Sequence, residues 1–132
     1  MVLVDTDVLV DVLQNDPQWA NWSIAQMRAQ SKLHALAINP VIYAEMSLSV
    51  STLEALDAVV LTMALELRET PRPALFLAAK AFAQYRRRGG SKAQVLPDFF
   101  IGAHAAVEGW PLLTRDASRF RTYFPTLEVL AP

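Results

Sequence analysis

Four acids stand where apolar segments end or helices begin: Asp5 behind Val2-Leu3-Val4, Glu45 one turn into the segment opened by Asn39-Pro40, Asp98 behind Pro97, and Asp116 behind Leu112-Leu113-Thr114. Taken singly, an acid in such a place most often caps the following helix, and Asp5 or Asp7 would suit that role. Four of them on separate elements allow a second chemistry. Converging carboxylates repel one another, and without a cation such a cluster costs stability. A pocket of carboxylate oxygens suits Mg²⁺ or Mn²⁺, each held through a few acids and several waters. Zinc fits poorly, since the chain has no cysteine and only two histidines, His34 and His104. His104 lies in an apolar segment one turn after Phe100 and reads as a packing residue.

The elements that would position these acids follow from local pattern. Val2 to Val4 is a β-branched and aliphatic run without alternation, as in a strand covered on both faces. A short apolar helix continues from Thr6 to Leu13. Asp16-Pro17 gives a cap followed by proline, predicting a helix over about 17–30 with Trp19, Trp22, Ile24, Ala25 and Met27 mostly on one side. A strand is expected over 33–38. Asn39-Pro40 repeats the cap-plus-proline signal for a helix reaching about residue 48. Ser51-Thr52-Leu53-Glu54 reads as a capping box, with Leu53, Leu56, Val59 and Val60 turned inward. Residues 61–67 suit either a helix or a short strand, with a brief extended piece expected near 65–67. Pro71 and Pro73 open a long helix over about 74–88, with Leu75, Ala78, Ala79, Phe82 and Tyr85 at helical spacing, and Gly89-Gly90 closes it. A loop then leads to Pro97, a helix spans 98–108 and Gly109 stops it. Strands over 112–114 and 127–130 flank a helical turn at 118–123.

Alternation of strands and helices predicts an α/β fold: a three-layer sandwich with a mainly parallel central sheet flanked by helices. In such a sheet the carboxyl ends of the strands and the amino ends of the following helices share one edge, so Asp5, Glu45, Asp98 and Asp116 can meet in one cleft.

The 132 residues suit a single domain over 1–132 with one core, and 53% of them are hydrophobic. No run reaches the ~18 unbroken apolar residues of a membrane span. The apolar start carries Asp5, Asp7 and Asp11, so no signal peptide is expected. Absence of cysteine excludes disulfides and thiolate chemistry and fits a cytoplasmic protein. A net charge of −1 exerts no global pull on nucleic acid, so any such binding needs a local patch.

Four segments together resemble a known family: Val4-Asp5-Thr6-Asp7-Val8, Ala44-Glu45, Pro97-Asp98-Phe99-Phe100-Ile101-Gly102-Ala103-His104-Ala105, and Leu112-Leu113-Thr114-Arg115-Asp116. In order and spacing they look like a PIN domain, more narrowly the VapC-type toxin of a toxin–antitoxin pair, over essentially the whole chain. By position Asp5, Glu45 and Asp98 match the family's core acids and Asp116 its fourth, while Thr6 and Thr114 match accompanying polar residues. Asp7 stands where the family more often has Asn or Ser. The resemblance implies metal-dependent endonucleolytic cleavage of RNA, often transfer RNA, by a homodimer restrained by a cognate antitoxin. Metal on Asp5, Asp98 and Asp116 would polarise the phosphate and activate a water, with Glu45 orienting the cluster or assisting proton removal. Because water attacks, the expected ends are 5′-phosphate and 3′-hydroxyl.

Six of the nine arginines lie in two tracts, Arg86-Arg87-Arg88 and Arg115, Arg119, Arg121. Arginine forks suit phosphate, so Arg86 to Arg88 and Arg115 are candidate RNA contacts. The bland reading of the first tract is a solvated helix end complementing the helix dipole. Trp19, Trp22 and Tyr43 could flank a groove or pack internally, and the early helices are the candidate antitoxin contact. Two rivals remain. Asp5-Thr6-Asp7 also resembles the haloacid dehalogenase-type phosphotransferases, but Leu9 stands where that motif has Thr or Val. A catalytically silent PIN-like RNA-binding module is the other.

Overall fold

Both faces of the first apolar run are covered, which explains its lack of polar alternation. In the computed structural model, which describes residues 1–132, these side chains are fully buried and form β1 (Val2–Val4), the middle strand of five. β2 (Leu36–Ile38) and β3 (Leu65–Leu67) lie on one side of it, with β4 (Leu112–Leu113) and β5 (Val129–Leu130) on the other. Every pairing in the order β3-β2-β1-β4-β5 is parallel. Leu3 sits opposite Ala37 on one side and Leu112 on the other. The chain builds outward from β1 to β3 and then crosses back to β4, so the strand order reverses between β1 and β4. Parallel sheets open their ligand crevices at the carboxyl ends flanking such a reversal. Asp5 leaves β1 at that edge, and Thr114 leaves β4 beside it.

Seven helices flank the sheet: α1 (Thr6–Leu13), α2 (Ala20–Ser31), α3 (Pro40–Met46), α4 (Leu53–Thr62), α5 (Arg72–Arg87), α6 (Leu96–Glu108) and α7 (Ser118–Tyr123). The α/β sandwich with a parallel sheet is the expected architecture. Its core joins the strands to α6, where Phe99, Ile101, Ala103 and Ala105 are fully buried. α5 packs chiefly on α6 through the small residues Ala74, Ala78 and Ala81, while Phe82 and Tyr85 set their rings 5.4 and 5.6 Å from that of Phe99. No helix is long and apolar enough to cross a membrane.

Several boundaries differ from the sequence pattern, each for a local reason. The helix expected from Pro17 begins at Ala20, because Asp16 Oδ1 accepts from the backbone N–H groups of Gln18 and Trp19, both at 2.9 Å, and closes a turn first. The strand expected over 33–38 is only Leu36–Ile38, since the N–H groups of Leu33 and His34 turn back to the Gln30 carbonyl. At α4 the cap is Thr52, accepting from Ala55 N at 3.1 Å; the Ser51–Glu54 box is not formed, and Leu53 points outward, 62% exposed. Leu75 and Ala79 also face outward, because the alanine stripe takes the inner side of α5. Residues 93–95 form a 3₁₀ turn, and α6 begins at Leu96 with Pro97 in its first turn, where its missing N–H is not needed. Asp98 is therefore inside the helix. β4 and β5 are shorter than expected, although Thr114 N still donates to Leu130 O at 3.0 Å.

Candidate active site

Asp5 caps α1 and faces a cleft at the same time. Its Oδ1 accepts from Thr6 N at 2.8 Å, and its Oδ2 accepts from the Thr114 hydroxyl at 2.8 Å. The capping and site readings of this residue therefore coexist. The Thr6 hydroxyl donates to Glu45 Oε1 at 2.6 Å, fastening α3 to the start of α1. α3 is itself capped by Asn39, whose Oδ1 accepts from Ile42 N at 2.9 Å. Asp98 in the first turn of α6 accepts from Arg119 Nη1 at 2.6 Å. The Asp116 backbone N–H donates to the Thr114 hydroxyl at 3.2 Å, which ties the turn after β4 to the same group.

These residues border a cleft of ≈ 300 Å³ lined by Asp5, Thr6, Asp7, Val10, Glu45, Asp98, Arg115, Asp116 and Phe120. All four acids singled out in the sequence lie there, with both threonines close by. Asp7, whose direction could not be read from the sequence, also faces the cleft. Arg86, Arg87 and Arg88 do not line it. They are exposed at the end of α5, with Arg86 over the Phe82 ring at 5.9 Å and Arg88 over the Tyr123 ring at 5.3 Å.

Burial governs the electrostatics. It pushes the Asp5 carboxyl well above the ordinary carboxylate range, with the charge of Asp7 adding to it and the Thr114 hydrogen bond opposing. Asp7 is pushed up to about 6, again by burial first, and the Arg115 charge pulls the other way. Asp98 is raised by burial against the pull of Arg119. Mutual repulsion contributes, Asp7 and Asp98 acting on Asp5 and Asp11 acting on Asp7. Desolvation is the larger cause, because β1, α1 and α6 bring these carboxylates to the edge of the core.

Two arrangements were not legible in the sequence. Asp11, only 2% exposed, accepts from Arg115 Nε at 2.8 Å and from the Ser23 hydroxyl at 3.2 Å, while the Arg115 guanidinium lies 5.7 Å over Trp19. An acid at the centre of the otherwise apolar Val8-Leu9-Val10-Asp11-Val12-Leu13 was the available signal. His104, fully buried, packs 5.3 Å from Trp110, and its Nδ1 lies 3.2 Å from the Asn39 amide nitrogen. Asn39 Oδ1 is engaged at the helix cap, so its amide nitrogen donates to Nδ1. Burial holds this imidazole below its usual range. Packing is thus the observed situation of His104.

The profile of the PIN domain matches residues 2–124. The chain belongs to the PIN-domain family. Similar solved structures include VapBC2 from Rickettsia felis bound to a promoter DNA fragment, 17% identical over 100% of this chain and 99% of that one, with a TM-score of 0.75. VapBC-1 from nontypeable Haemophilus influenzae is 18% identical over 99% and 98%, at 0.72. DNA-bound VapBC from Salmonella typhimurium is 20% identical over 98% and 96%, at 0.71. At these identities the likeness is one of fold. Curated protein sequences give no match.

The donor set of this PIN domain suits a hard divalent cation, because it is all oxygen and dominated by carboxylates. A buried oxygen, Asp7 Oδ1, has no hydrogen-bond partner. As they stand, no three of its acid or histidine side chains are gathered tightly enough to hold an ion between them. Threonine and arginine donors hold Asp5, Glu45 and Asp98 one by one, so closing on an ion requires side-chain movement.

Proposed function

We propose that this PIN domain is a VapC-type toxin, an endoribonuclease that uses Mg²⁺ or Mn²⁺ and is restrained by an antitoxin. The observation that carries the reading is the gathering of Asp5, Asp7, Glu45, Asp98 and Asp116 round one cleft, with Arg115 at its border. Asp5, Asp98 and Asp116 would hold the ion. Bound there, it supplies a Lewis acid for the phosphodiester and acidifies a coordinated water. Glu45 takes the proton from the attacking water, since its Oε1 is held by Thr6 while no protein donor reaches Oε2. Thr6 and Thr114 position Glu45 and Asp5. Arg115, fixed by Asp11 and Trp19, presents its remaining N–H groups to the phosphate backbone. Arg86, Arg87 and Arg88 extend the RNA footprint outside the cleft. Attack by water leaves 5′-phosphate and 3′-hydroxyl ends, and transfer RNA is within the proposed substrate range.

An antitoxin partner is proposed from the likeness to VapBC complexes. An apolar groove of ≈ 400 Å³ between α1, α2 and α4, lined by Val12, Ile24, Met27 and Met63, supports the early helices as its contact. A homodimer belongs to the same proposal. The phosphotransferase alternative loses its ground, because the chain is a PIN domain.

The test is cleavage of total cellular RNA with Mg²⁺, with Mn²⁺ and with EDTA, using wild type and Asp98→Asn side by side. The expected result is metal-dependent cutting by wild type alone, with both proteins equally folded by circular dichroism. A silent RNA-binding module would bind without cutting in any of these conditions, and undiminished cutting by Asp98→Asn would remove the proposed metal site.

A further inference from the structure

Arg115 lines the acid cleft and Arg119 binds one of its carboxylates, and the two are held in different ways. Arg115 is bound to Asp11, a buried acid outside the cleft lining that Ser23 also engages, and it rests on Trp19. Nothing that binds in the cleft competes for that partner. Arg119 is bound instead to Asp98, one of the cleft carboxylates, with Nη1 2.6 Å from Oδ2. That distance is just below the usual range of a charge-assisted N–H···O hydrogen bond. The pair is about two-thirds shielded, with side-chain exposures of 28% for Arg119 and 31% for Asp98.

The backbone beneath Arg119 is fixed while its side chain is long. α7 is fastened to α6 by Phe120 and Phe124, 2% and 3% exposed, which press on Gly102 so closely that a Cβ there would lie 2.5 Å from Phe124 Cε2 and 3.0 Å from Phe120 Cδ1. Asp98 and Gly102 are one turn apart on α6. This packing aims residue 119 at residue 98, and rotation about the arginine side-chain bonds releases the contact without moving either helix.

On the reading of the cleft as a divalent-cation site, we propose that Arg119 is a built-in competitor for the cation at Asp98. Its guanidinium and a doubly charged ion repel each other and require the same carboxylate, so one displaces the other. Arg119 lowers the cation affinity of the resting protein and steadies Asp98 until the ion arrives. Once displaced from Asp98, it is a free guanidinium next to a cleft carboxylate, available to a phosphate. The two arginines thus divide the work into a permanent contact and one that forms only in the loaded state.

The experiment is calorimetric titration of Mn²⁺ alone, at constant pH and ionic strength, into wild type, Arg119→Gln, Arg119→Lys and Asp98→Asn, each checked for folding by circular dichroism. Losing one charge-assisted hydrogen bond on Asp98 should make Mn²⁺ binding about tenfold tighter in Arg119→Gln. Arg119→Lys keeps the charge without the fork and should fall between the two. Equal or weaker binding by a folded Arg119→Gln, in a series where wild type binds and Asp98→Asn does not, overturns the competitor while leaving the metal site standing. Failure of wild type and Arg119→Gln alike to bind Mn²⁺ overturns the metal site and the competitor together.

Discussion

The Thr114 hydroxyl donates to Asp5 Oδ2 at 2.8 Å, joining the carboxyl ends of two adjacent strands that lie 109 residues apart in sequence. Thr114 is fully buried and Asp5 is 6% exposed, so neither oxygen has ready access to water as a substitute partner. Thr114→Val keeps the side-chain shape and removes the donor. The expected loss of stability is about 1–3 kcal/mol, the cost of a buried acceptor left unsatisfied. Asp5 should also become harder to ionise, so RNA cleavage should fall and its pH optimum move upward. A denaturant melt and a pH–rate profile check both, and an unchanged pair of curves would make this hydrogen bond incidental.

Asp11 and Arg115 form an ion pair at the border of the cleft, with Asp11 buried and Arg115 one-third exposed. Arg115→Ala should cost about 3 kcal/mol, because it strands a buried charge. The double variant Asp11→Asn with Arg115→Ala should be more stable than Arg115→Ala alone, since the stranded charge is gone. Chemical denaturation of the four proteins in the cycle measures this coupling. Strict additivity would show that Asp11 and Arg115 do not interact energetically.

Asp5, Glu45, Asp98 and Asp116 were legible because each sits at an element boundary, where an apolar run stops or a cap-plus-proline signal occurs, and parallel-sheet geometry sends such boundaries to one edge. Asp7 and Asp11 were harder. They are one helical turn apart on α1 and so share a side, but which side turns to the cleft depends on Arg115, distant in sequence. The Arg119–Asp98 contact depends on Phe120 and Phe124 seating on Gly102, a tertiary fit that periodicity does not carry. Element types mostly followed from pattern, including the short β3. The misplaced starts at 17 and 51 trace to side chains, Asp16 and Thr52, choosing one backbone N–H over another.

Arg86, Arg87 and Arg88 lie away from the cleft, and two of them rest on rings of neighbouring aromatics. If they extend the RNA footprint, replacing all three by Gln should weaken RNA binding and reduce the slope of log affinity against log salt by up to about 2 units. Filter binding of one RNA at several salt concentrations reads this directly. A slope identical to wild type would assign the tract to the helix end alone. Stability should change little in either case, because all three side chains are exposed.

The pH dependence of the metal-free protein separates Asp7 from its neighbours. Its carboxyl is raised from 3.8 to about 6 in the fold, so between those values the native state binds more protons than the unfolded chain. Asp7 therefore contributes stability that is fully present below about 3.8 and is lost as pH rises through about 6. Asp5 and Asp98, also raised, act in the same direction. His104 is lowered from 6.5 and opposes them, its contribution being present above 6.5 and lost as pH falls through its folded value. A melt of wild type alone would mix these, whereas the difference between Asp7→Asn and wild type isolates Asp7 together with the rise that its charge imposes on Asp5. Asp7→Asn should be the more stable at pH 7.5, by on the order of 2 kcal/mol, and the gap should narrow as pH falls through about 6 and close below about 3.8. Mg²⁺ at about ten times its dissociation constant should stabilise wild type by roughly 1.4 kcal/mol and narrow the same gap at pH 7.5, because the ion offsets the charge that burial penalises. A gap that ignores both pH and Mg²⁺ would mean that Asp7 does not share the electrostatic environment of Asp5 and Asp98, and that the cleft is not the single acidic site its lining describes.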